Sequence, residues 1–191
     1  MINPYSSLPE FHFHSKVIRG RHPSQFDPII DPRFDLTPDT KIMTMGSCFA
    51  QHLSKWLLHH GYNLSITEKE VFTEGGGVYS ANYGNVYTAA QALQLFNRAF
   101  GAFHENDALY EAENGNFYDP IRPSAYKDGF KSIGEALSSR ENHKACVKNL
   151  FLESEVLVFT LGLTEAWIRN DDHAVLPIAP GIVAGNYDPI L

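Results

Sequence analysis

Ser47 and Cys48 stand side by side after Gly46, where a short apolar run gives way to a helical period. A hydroxyl and a thiol are both groups that form acyl intermediates. The thiol reacts as its thiolate. A helix N-terminus favours that form, because its first N–H groups lack intrahelical partners and the helix dipole is positive there. The same N–H groups suit a developing oxyanion. A serine hydroxyl instead needs an adjacent general base, and Ser47 sits one residue earlier, where a cap belongs. Cys48 is therefore the expected nucleophile and Ser47 the second choice. The plainer alternative is that Ser47 only caps and Cys48 only packs.

The elements around this turn can be read from period and punctuation. Lys41-Ile42-Met43-Thr44-Met45 is a strand-length apolar run, and Gly46 lets the chain reverse sharply. From Ser47 the apolar residues Phe49, Leu53, Trp56 and Leu57 share a helical face, and Gly61 after His59 and His60 is a C-terminal stop. Tyr62-Asn63-Leu64-Ser65-Ile66 then reads as the next strand, beginning a parallel βαβ unit. Residues 74–78 form a glycine-rich flexible loop. Thr88 can cap a second helix carrying Leu93, Phe96, Phe100 and Phe103. Tyr110 to Tyr118 reads as a hairpin around Asn114-Gly115. A third helix is expected over about 132–152, with Ile133, Leu137, Val147, Leu150 and Phe151 as core. Residues 156–161 are apolar on both faces, as a central parallel strand is. A second hairpin flanks Asn170-Asp171-Asp172-His173. The sum is an open α/β domain over 41–191, preceded by an irregular arm over 1–40 lying on it. Ligands in such sheets bind beyond the carboxyl ends of the strands. Two turns lie there, Gly46-Ser47-Cys48 and Gly162-Leu163-Thr164-Glu165.

Composition narrows the function classes. The chain has 191 residues and a net charge of −7, with its basic residues scattered, which argues mildly against nucleic acid. No run of roughly 18 apolar residues suggests a membrane span. The N-terminus lacks a basic run followed by an apolar core, so no signal peptide is expected. The two cysteines, Cys48 and Cys146, do not make a disulfide framework. Both read as reduced, and the protein as cytoplasmic. No CxxC, HExxH or ligand-spaced cluster occurs, so no metal is expected.

Met45-Gly46-Ser47-Cys48-Phe49-Ala50 resembles the signature after which the GSCFA family is named. Gly84-Asn85-Val86-Tyr87-Thr88 and Leu161-Gly162-Leu163-Thr164-Glu165-Ala166-Trp167 also resemble that family, so the likeness runs from about residue 40 to the end. The family is itself similar to the SGNH, or GDSL-like, hydrolases. That resemblance implies a three-layer α/β/α, flavodoxin-like parallel sheet and an esterase or acyltransferase activity. It lays Gly46 on the first-block Gly, Ser47 on its Asp and Cys48 on the nucleophilic Ser. It makes Gly84 an oxyanion-hole Gly, and Gly162 with Thr164 the third block. Thr164 replaces an Asn there and has shorter reach, so Asn85 is an alternative amide donor. The SGNH pattern also needs an Asp-x-x-His general base, and this chain has no such spacing. The expectation is that the chain is a truncated member, lacking its base and the C-terminal part of its sheet.

The expected function is thus an SGNH-like hydrolase or acyltransferase working on an ester or thioester through Cys48. No resident cofactor is expected; a coenzyme A thioester is a possible acyl donor, and the partners are small-molecule or saccharide substrates. The rival expectations are a non-catalytic carbohydrate- or nucleotide-binding module on the same fold, and a redox-sensing thiol protein. Other residues are set aside. His12, His14, His59 and His60 read as surface, and His173 as a remote candidate base. Cys146 reads as core, and Trp56 and Trp167 as packing. Glu165 either orients a site group or caps the next turn.

Overall fold

The computed structural model describes residues 6–25, 33–68 and 78–186. The expected loop at 74–77 lies outside the described residues. The chain forms two compact units, Met1–Leu36 and Thr37–Leu191.

In the first unit a short helix, α1 (His14–Ile18), stands where irregular chain is expected. None of its residues is buried, so no apolar period announces it.

The second unit is mixed α/β around a small parallel sheet. Strand β1 (Ile42–Gly46) is buried throughout and leads through Ser47 into α2 (Cys48–His59). It pairs in parallel with β4 (Val156–Thr160), in a register running from Ile42 opposite Val156 to Gly46 opposite Thr160. Successive side chains of a strand point to opposite faces. Met43 and Met45 therefore pack with Leu95, Val147 and Leu150, while Ile42 packs with Leu57 and Leu64. The expected strand at Tyr62–Ile66 reduces to one parallel bridge, Leu64 to Ile42. The expected central strand β4 has β1 as its one partner among the described residues, and its Leu157 is 45% exposed.

Ser47 and Thr88 cap helices where the sequence puts them, and the buried faces follow the apolar period in part: Leu57, Val147 and Leu150 are inside as expected. In α2 the buried stripe is Ala50, Ser54 and Leu57. Phe49 and Trp56, expected on the core face, are 63% and 50% exposed. The small residues let the helix approach β1 closely enough for Ser54 Oγ to hydrogen-bond Thr44 Oγ1 at 2.5 Å. Trp56 stacks on His60 instead, with ring centroids 4.0 Å apart.

Thr88 caps α3 (Ala89–Ala99) in a capping box with Gln91. This helix buries Gln91, Gln94, Leu95 and Arg98, whereas Leu93, Phe96 and Phe100 are exposed. Ser132 caps α4 (Ile133–Glu153), which buries Ala136, Arg140, His143, Val147 and Leu150 and leaves Ile133 exposed. Polar side chains are buried because each finds a partner. Gln94 hydrogen-bonds both the N–H and the C=O of Val175, at 2.7 and 2.9 Å. Arg98 pairs with Glu105 at 2.6 Å, and Arg140 and Arg122 each reach Asp119 at 3.3 Å. Burial alone would raise the Asp119 pKa, but Arg122 and Arg140 hold it well below the usual carboxylate range. Both expected hairpins form: β2 (Tyr110–Glu111) with β3 (Phe117–Tyr118), and β5 (Trp167–Ile168) with β6 (Val175–Leu176).

Candidate functional site

Gly46 ends β1 at φ +145°, a conformation side chains rarely adopt. A Cβ there would lie 2.0 Å from Thr160 Oγ1 and 2.6 Å from the Thr160 carbonyl oxygen. The contact is this close because β4 runs alongside, and Thr160 Oγ1 accepts the Ser47 N–H at 3.2 Å. The two strand ends are thus tied at the residue before the reactive pair.

Ser47 is the N-cap of α2, its Oγ accepting the Phe49 N–H at 3.3 Å. Its hydroxyl is committed to the helix start. Cys48 is the first helical residue and is exposed, not packed. Its backbone N–H is one of the donors that a helix start leaves without an intrahelical acceptor.

The segment 78–87 closes over this turn. Val86 N–H donates to the Gly46 carbonyl at 2.8 Å, holding Asn85 and Tyr87 beside it. Tyr79 donates to Asn85 Oδ1 at 2.9 Å and accepts from Gln51 Nε2, three residues along α2 from Cys48. With Oδ1 so engaged, Asn85 Nδ2 is left as the donor end of the carboxamide. Burial, then the nearby Tyr87 and Cys48, push the Tyr79 phenol pKa up, so it is a fixed hydrogen-bond donor at neutral pH.

The second turn arrives on the same edge. Gly162 and Leu163 N–H both donate to the Tyr87 carbonyl at 3.0 Å. A Cβ on Gly162 would meet Tyr87 Cδ1 at 3.4 Å and Ser47 Cβ at 3.6 Å, so the two turns touch. Gly84, at φ +71°, precedes Asn85 and faces Ser124 Oγ. The structure therefore brings together Gly46, Ser47, Cys48, Asn85 and Gly162. Thr164 and Glu165 are exposed further along the turn. A strand, β5, follows Glu165. His173 sits at φ +59° in the β5–β6 turn.

Sequence reasoning missed Tyr79 and Gln51. The first comes from an aperiodic segment, and only the fold puts it here. Gln51 was legible: its spacing of three residues from Cys48 puts it on the same helix face; His52, four residues on, is exposed. Also missed was His143, fully buried with Nδ1 2.6 Å from Glu68 Oε2. Burial and the Arg122 charge push His143 down to about 4. Among the described residues no group of His, Cys, Asp or Glu could hold a metal ion, and no helix is long and apolar enough to cross a membrane.

The GSCFA family model matches residues 41–187. No curated protein and no solved structure matches the chain.

Proposed function

The chain belongs to the GSCFA family, and from that premise we propose that it is an SGNH-like hydrolase or acyltransferase, acting on an ester or thioester by covalent catalysis at Cys48. The observation that carries this reading is the exposure of Cys48 at the first position of α2, directly after Ser47, which meets the Gly162 turn, with the Asn85 carboxamide oriented by Tyr79 on the segment bound to Gly46. The finer fold that goes with it is the three-layer α/β/α sheet of the SGNH enzymes.

The Cys48 sulfur attacks the acyl carbonyl carbon, and its proton passes to His52, one helical turn away. Asn85 Nδ2 and the Cys48 N–H stabilise the oxyanion. The C–O or C–S bond then breaks, the leaving group takes the proton from the imidazolium, and a thioester on Cys48 remains. Water or an acceptor hydroxyl attacks that thioester, with His52 again accepting the proton, and Cys48 is regenerated. Thioester exchange is nearly balanced, so a thiol nucleophile favours transfer and permits hydrolysis.

The test is intact-mass labelling followed by peptide mapping. Iodoacetamide and activated acyl donors are expected to modify Cys48 well ahead of Cys146, whose pKa burial and Glu68 raise. Equal modification of the two cysteines overturns the reading. Thr164, standing exposed where the SGNH pattern has an oxyanion Asn, favours one alternative: a carbohydrate- or nucleotide-binding module on this fold. Ligand binding that survives Cys48→Ala, with no acyl adduct on the unaltered chain, selects it.

A further inference from the structure

A cleft of about 430 Å³ opens beside the reactive turn. Tyr87 is common to both. Its carbonyl anchors Gly162 and Leu163, its ring lies against Gly162, and it is close enough to bear on the Tyr79 phenol. From Tyr87 the wall runs through Leu163, Trp167, Leu176 and Pro177. Leu163 and Trp167 are 49% and 47% exposed. Grouped apolar side chains left in water mark a ligand surface more often than scattered ones do.

The polar groups in the cleft decide what it accepts. Gln91 contributes little freedom, because its Oε1 already accepts the N–H groups of Tyr87 and Thr88. Glu165 offers one carboxylate. Tyr87, Trp167 and the Gln91 amide add a hydroxyl and N–H donors, but the lining is more apolar than polar, whereas a saccharide needs many converging donors and acceptors to replace its hydration. An aliphatic chain needs only apolar surface and length.

We propose that this cleft seats the acyl chain of the substrate, an aliphatic group of medium length, with its carbonyl end toward Cys48. The inference rests on the acyl-transfer reading of Cys48 and adds the class of acyl group to it. The volume fits a chain on the order of ten carbons, taking a methylene as similar in volume to a water. Longer chains project into solvent.

The experiment separates binding from chemistry. The neutral amides butanamide, octanamide and dodecanamide are titrated into the Cys48→Ala protein by calorimetry. Affinity is expected to rise roughly fourfold for each added methylene until the cleft fills, then level off. Ala166 lines the cleft and is exposed, so Ala166→Trp fills space without burying a misfit. It is expected to move the plateau to shorter chains. Leu163→Asp serves as the second variant and is expected to flatten the dependence. Affinity that does not grow from butanamide to octanamide overturns the proposal, as does a profile indifferent to both variants. Because Cys48 is absent throughout, that failure is distinct from failure of Cys48 to form an adduct.

Discussion

Tyr79 donates its phenolic hydrogen to Asn85 Oδ1 at 2.9 Å, and the carboxamide NH₂ is the end left over. Gln51 Nε2 holds the phenol from the other side, so the chain of hydrogen bonds begins on the helix that carries Cys48. In the proposed mechanism Tyr79 is a positioning residue and Asn85 the donor it aims. Asn85→Ala is expected to slow acylation of Cys48 by about 10²-fold, the scale of losing one oxyanion donor. Tyr79→Phe leaves the donor present but unaimed and is expected to cost roughly tenfold. Iodoacetamide alkylation, which develops no oxyanion, is expected to be unchanged in both. Stopped-flow rates with an activated ester and with iodoacetamide give the comparison. Parallel losses in the two reactions refute the positioning role.

The neighbouring reactive residues are predicted to separate cleanly. Ser47 Oγ accepts the Phe49 N–H, so Ser47→Ala removes a cap and is expected to cost about 1 kcal/mol. In a chain of this size that lowers the melting temperature by about 3 °C. The acyl adduct on Cys48 is expected to persist. Cys48→Ala is expected to reverse the pattern, leaving the melt nearly unchanged and abolishing the adduct. A Ser47→Ala protein that melts normally and forms no adduct reassigns the nucleophile.

The strand, turn and helix that carry Cys48 were legible because each is specified locally. An apolar run, a glycine with a required φ, a capping hydroxyl and a helical period all lie within residues 41–61. Thr88 with Gln91 was legible for the same reason. The buried faces were legible only in part: Leu57, Val147 and Leu150 are inside as expected, but the polar residues beside them are not announced. In α3 the sequence shows an aromatic stripe, yet Gln94 and Arg98 go inside because Val175 and Glu105 satisfy them. In α4 His143 goes inside because Glu68, far away along the chain, accepts a hydrogen bond from its Nδ1. Periodicity scores apolarity, whereas burial of a polar group depends on a distant partner that no local window contains. Tyr79 was missed on the same ground. Its place beside Asn85 depends on Val86 reaching the Gly46 carbonyl.

Gly46 and Gly61 provide a controlled pair for the turn. Both have positive φ, at +145° and +76°, but a Cβ on Gly61 meets nothing within 4 Å. Gly61→Ala is therefore expected to cost about 1 kcal/mol of backbone strain alone. Gly46→Ala adds a clash with Thr160 and is expected to cost on the order of 3 kcal/mol or more, loosening the β1–β4 pairing. Chemical denaturation of the two variants checks the difference. Equal losses would mean that the strand ends are not held together at Thr160.

Acid is predicted to unfold the protein in stages, and the sign follows from where protons bind. His143, neutral in the fold and pushed down to about 4, remains unprotonated in the native state at pH values where an unfolded imidazole, with pKa about 6.5, takes a proton. Between those values the unfolded state holds the extra proton, so stability falls as pH falls. The window spans about 2.5 pH units, which at about 1.4 kcal/mol per unit amounts to about 3 kcal/mol. Below it Glu68 and Asp119 continue the trend. Their carboxylates are held below the usual range, Glu68 against its burial by the His143 hydrogen bond and Arg122, and Asp119 by Arg122 and Arg140. Denaturant titrations at pH 7, 5.5 and 4.5 are expected to show uptake of about one proton on unfolding across the upper window. His143→Gln keeps an amide donor for Glu68 but does not titrate, so it is expected to remove that slope while leaving the steeper loss at lower pH. An unchanged slope in the variant would place the proton elsewhere.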